Sequence, residues 1–140
     1  MLSKEDDKKP ITQKFLFQVA FSCRLQLEKG SIDKPVLNRI KTRYREFFDR
    51  PDVDQFVDFL VKEFPRHGDT LGTLYVKEVF GDGEVIRDGF YEVDGEKIAH
   101  SFLLVEGKDG RVVVDIAADQ FDGPAIHVGV LQHPWSMGEG

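Results

Sequence analysis

The chain has 140 residues, 41% of them hydrophobic and 12 of them Phe, which suits one hydrophobic core and leaves too little for two. Its 25 acidic against 19 basic residues give a formal charge of −6, so there is no electrostatic ground for binding nucleic acid or anionic lipid. A single cysteine, Cys23, excludes an internal disulfide and every multi-cysteine zinc site, and any thiol chemistry falls to that residue.

Residues 1–10, MLSKEDDKKP, are charged and read as a polar tail ahead of one domain over 11–140. They contain no apolar run, so neither a signal peptide nor a membrane anchor is expected, and the cytoplasm is the default compartment. From Pro10 and Thr12 onward, Phe15, Leu16, Val19, Ala20, Cys23 and Leu27 recur at three- and four-residue steps until Gly30, the spacing of an amphipathic helix. A second helix starts at Asp33 with Pro35 in its first turn and carries Val36, Leu37, Ile40, Tyr44, Phe47 and Phe48 on one side. Its other side holds Arg39, Arg43 and Arg50, read as a solvated face. The third runs from Asp52 as N-cap through Val53, Phe56, Val57, Leu60 and Val61 to Phe64, where Pro65 ends it. A loop, RHGD, leads to Thr70 and a fourth helix with Leu71, Leu74, Tyr75 and Phe80, closed by Gly81, Asp82 and Gly83.

From Glu84 the period becomes extended: EVIR, GFYEV, a turn at Asp94 and Gly95, KIAHSFLLV, a loop at GKDG, and RVVVDI. Residues 126–131 read as a further strand, and the tail beyond them as irregular. Helices first and strands after predict an α+β fold, with N-terminal helices packed on an antiparallel sheet.

A hairpin turning at Lys108 and Asp109 places Asp115 across from Phe102 and diagonal to His100, on one sheet face. Such neighbours allow a carboxylate to accept a hydrogen bond from an imidazole N–H. That arrangement is the base-and-orienter half of a nucleophilic triad: the carboxylate fixes the tautomer, and the ring takes a proton from the nucleophile. A satisfied strand histidine beside a strand-end carboxylate has the same spacing.

The segments HSFLLV (100–105), VVVDIAADQFDGP (112–124) and the later Pro134-Trp135 resemble a bacterial branch of the papain-like, transglutaminase-like cysteine hydrolase superfamily. The resemblance covers the second half of the chain. It implies a papain/transglutaminase-like core, with His100 as base and Asp115 as orienting carboxylate. Asp119, Gln120 and Phe121 match its motif, and a structural role at the strand ends is expected for Asp119 or Gln120.

In such proteins the nucleophilic cysteine opens a helix about thirty to forty residues before the histidine, where terminal N–H groups and the dipole depress its pKa. Here that place reads FPRHGDTLGTLYV (64–76), with His67 at the altered nucleophile position and no thiol or serine. Thr70 is the nearby hydroxyl, suited to capping the helix that follows. The resemblance thus implies a degenerate site that binds a peptide or protein, with no cofactor.

An alternative makes the chain an active cysteine hydrolase or acyltransferase on an amide bond, with Cys23 attacking, His100 shuttling the proton and Asp115 holding His100. Gln18 precedes Cys23 as an oxyanion-hole glutamine would, but the intervening VAFS has no glycine turn, and Cys23 sits on an apolar helical stripe. A third reading joins His67, His100 and Asp115 as metal ligands, without local ligand spacing. His127 and His133 read as surface or loop residues, and a non-catalytic α+β module is the plain alternative to all three.

Overall fold

The computed structural model describes residues 11–108 and 110–138; the expected tail over 1–10 lies outside them. Five helices precede seven strands: α1 (Gln13–Lys29), α2 (Lys34–Arg43), α3 (Arg45–Phe48), α4 (Val53–Glu63) and α5 (Asp69–Phe80), then β1 (Glu84–Ile86), β2 (Gly89–Val93), β3 (Glu96–Ala99), β4 (Phe102–Gly107), β5 (Gly110–Asp115), β6 (His127–Val130) and β7 (Trp135–Met137). The fold is α+β, as the change of hydrophobic period implies.

Local chemistry sets the helix bounds. Thr12 caps α1 by accepting the Phe15 N–H at 3.1 Å, and Gly30, at φ 69°, ends it in the left-handed conformation that glycine adopts without strain. Asp33 caps α2 by accepting the Val36 N–H at 3.3 Å. The expected single helix through Phe48 is instead two, because Tyr44 leaves helical geometry at φ −118°, ψ 27°. Asp52 stands at the start of α4 without a capping bond; its carboxylate takes Arg50 instead, at 2.8 Å. The basic side of α2 is not merely solvated: Arg39, Arg43 and Tyr44 converge on the nearly buried carboxylate of Glu78 in α5.

The strands form two antiparallel sheets, ordered β1-β4-β5-β6 and β3-β2-β7. KIAHSFLLV, expected as one strand, breaks at His100 and Ser101, so β3 belongs to the small sheet and β4 to the large one. The tail expected to be irregular supplies β7, which pairs Tyr91 with Trp135.

The pleat of the large sheet divides the core. Leu103, Val105, Val112 and Val114 face a cluster built with the helices, containing Leu16, Cys23, Ile40, Val57 and Leu74. Phe102, Leu104 and Val113 face a second cluster, completed by Tyr91, Ala118 and Trp135. Gly72 lets α5 approach the end of β5, since a Cβ there would lie 3.0 Å from the Ile116 side chain.

Candidate functional site

The site lies on the second face, where β3 hands over to β4. The hairpin register is Leu103 with Val114 and Gly107 with Gly110, which, continued, sets Asp115 across from Phe102 and diagonal to His100, as counting from the turn predicts. Of the two expected turn residues, Lys108 lies in a turn and Asp109 lies outside the described residues. The His100 N–H donates to the Gly89 carbonyl at 2.9 Å, and the Ser101 N–H donates to Asp69 Oδ2 at 2.8 Å. The first bond extends the β2–β3 register, which pairs Phe90 with Ala99, by one residue, and the second fastens the start of β4 to the start of α5.

His100 Nε2 lies 2.6 Å from Asp115 Oδ2, and both side chains are buried, at 1% and 3% residue exposure. The same oxygen accepts the Trp135 indole N–H at 2.8 Å, while Oδ1 accepts the Ala117 N–H at 2.8 Å. Three donors therefore hold the carboxylate. Since a carboxylate oxygen accepts, Nε2 carries the hydrogen of this contact. Among the described residues Nδ1 has no hydrogen-bond partner, and Asp69 Oδ2, at 3.8 Å, stands opposite it just beyond bonding reach. Tyr91 and Phe121 set their rings edge-on to the imidazole, with centroids 5.9 and 5.2 Å away. Burial, with Asp122 and Asp115 nearby, pushes the Tyr91 hydroxyl above its ordinary pKa.

The structure brings His100 and Asp115 together and leaves Cys23 apart. Cys23 is wholly buried in the cluster on the opposite face of the large sheet, and burial pushes its thiol up to about 12. No other described residue is a cysteine, so none brings a sulfur to Nδ1. His67 is exposed, with φ 56°, two residues ahead of the carboxylate that faces the imidazole. Gly68, not Thr70, precedes α5 at its N-cap, and the Thr70 hydroxyl is 3.3 Å from that of Ser101. Among the described residues no three of His, Cys, Asp or Glu are gathered for a metal, so His67, His100 and Asp115 do not form the ligand set of the third reading.

Compared with known proteins, the chain matches no family model, no curated protein and no solved structure. The site's chemistry is therefore argued from its geometry alone.

Asp119 acts through an arginine. Arg24 of α1, 6% exposed, binds Asp119 through two nitrogens at 2.6 and 2.7 Å, donates to the Ile116 carbonyl at 2.7 Å, and also pairs with Glu28. Burial opposes the guanidinium charge, but Asp119 and Glu28 outweigh it and hold its pKa above the ordinary value. The strand-end bond expected of Asp119 or Gln120 is thus made by Arg24; among the described residues Gln120 Nε2 has no partner.

His127 is neither a surface nor a loop residue. It lies on β6 opposite Asp115, half-buried, with its ring stacked 3.8 Å from that of Trp135. Burial lowers its pKa, against the opposing pull of Asp115. His133 is exposed and bonds Glu92 at 2.9 Å. Reasoning from sequence missed Asp69, Ser101 and Trp135 as parts of the site. The signals were slight: an acidic residue in the first turn of a helix, and the only Trp, directly after a proline.

Proposed function

We propose that this protein is a papain- or transglutaminase-like domain without a working nucleophile, which binds a peptide or protein beside its sheet. The observation that carries the proposal is the group facing His100 Nδ1: a carboxylate oxygen of Asp69 at 3.8 Å, where acyl transfer by a thiol needs sulfur. The His100–Asp115 pair retains the wiring of base and orienter. The helix start that would activate a thiol carries Asp69, a favourable charge for that end of the dipole and a poor substitute for a thiolate. Reaching the base from Cys23 would require the sulfur to leave one core cluster and cross the large sheet.

Three experiments test this. Native Cys23 should resist iodoacetamide at neutral pH until the chain is unfolded, and a tryptic peptide mixture incubated with the protein should emerge uncleaved by mass spectrometry. In a Cys23→Ala background, Asp69→Cys should put a thiol opposite Nδ1 and be alkylated rapidly near neutral pH, more slowly once His100→Ala is added. Fast labelling of wild-type Cys23, or cleavage lost on Cys23→Ala, would establish an active cysteine hydrolase instead.

A further inference from the structure

A cavity of about 440 Å³ opens among the helices at the start of α5, next to the His100 site. Phe48, Phe56, Phe59 and Leu60 wall it, and His67 and Thr70 form a polar end. Its volume falls within the range of small-ligand pockets and exceeds what one aliphatic side chain would fill. The walls are aromatic in two orientations: Phe48 and Phe56 meet edge to face at 75°, while Phe56 and Phe59 are near parallel at 14°. A flat ring entering there has both faces and edges to pack on. His67 is the only titratable residue in the lining, so nothing compensates a charged occupant.

We infer that this cavity receives the aromatic side chain of a bound peptide, an indole best of all, with its N–H donated to the His67 and Thr70 end. Indole combines a large apolar body with a single donor, and the cavity combines a large apolar wall with a single polar end. A peptide is favoured over a free aromatic molecule because the polar end continues into the site. Thr70 touches the Ser101 hydroxyl, Ser101 gives its N–H to Asp69, and Asp69 faces His100. Thr70 and Asp69 are partly exposed, so a backbone leaving the cavity over them passes above the buried imidazole. The inference rests on the peptide-binding reading above and specifies which residue such a peptide must carry.

The test is a titration of the isotopically labelled protein followed by amide and imidazole NMR signals. N-acetyl-tryptophanamide should give saturable shifts at Phe59, Leu60 and Thr70, and N-acetyl-alaninamide should give none. Phe59 is exposed, so Phe59→Ala keeps the fold and should weaken binding about five-fold by removing one ring contact. Thr70→Val, which keeps the shape but loses the hydroxyl, should weaken the indole more than a phenyl probe. A pentapeptide with central Trp should move the same signals and, in addition, those of Ser101 and the His100 ring. If that pentapeptide moves Ser101 and His100 but not Phe59 or Thr70, the cavity assignment is overturned while peptide binding stands. If neither probe moves any of these signals, both are overturned.

Discussion

Both carboxylate oxygens of Asp115 are occupied by named donors, and the one from farthest along the chain is the indole of Trp135. Because the carboxylate is buried, losing a donor removes a bond that water does not replace. Trp135→Phe keeps the stack on His127 and deletes the N–H; it should cost about 1–2 kcal/mol in urea denaturation, with the far-UV circular dichroism of the native state unchanged. An unaltered midpoint would mean that the indole only fills space. At this scale the sequence was informative wherever partners are close along the chain. Gly107 pairs with Gly110, so the register that puts His100 and Asp115 on one face follows from counting. Trp135 was not legible, because its role depends on β7 pairing with β2, a contact between distant segments.

Among elements, the informative failure is the strand that was expected to run through His100. Both flanks of KIAHSFLLV suit an extended chain, so pattern alone carries the strand across the break. The His100 N–H stays with β2 through the Gly89 carbonyl, in register with the rest of β3, while Asp69 at the start of α5 takes the N–H of Ser101, so the chain changes sheets between the two residues. Asp69 therefore docks a helix start onto a strand start, and this positions the imidazole between them. Asp69→Ala should destabilise the fold by about 1–2 kcal/mol, since the Ser101 N–H loses its acceptor in a nearly buried place. Asp69→Asn retains an acceptor and should recover most of that loss. Equal losses in both variants would assign the effect to charge at the helix terminus rather than to the hydrogen bond. The split of the second expected helix has a similar origin, since Tyr44 departs from helical geometry where its hydroxyl reaches Glu78 on α5.

Across the whole molecule, one charged contact ties the helical layer to the chain leaving the large sheet. Arg24 sits on the buried stripe of α1 and crosses to Ile116 and Asp119, which directly follow β5 and so adjoin Asp115. No periodicity argument finds such a residue, because an arginine on an apolar stripe reads as a flaw in the stripe until its partner, 95 positions away, is known. A buried ion pair responds asymmetrically to the loss of its two members. Asp119→Ala leaves a guanidinium inside the core with only Glu28 as counter-charge, and should cost about 2–3 kcal/mol, below the full penalty for a wholly buried pair because Asp119 is partly exposed. Arg24→Leu instead places an apolar side chain among apolar neighbours and leaves Asp119 able to turn to solvent, so its cost should be smaller, about 1 kcal/mol. The double variant should then be no less stable than Asp119→Ala alone, a sign that the single loss is mainly the burden of an unpaired charge. Urea midpoints for the three variants decide it: additive losses would show that Arg24 and Asp119 act independently, with no coupling energy in the pair.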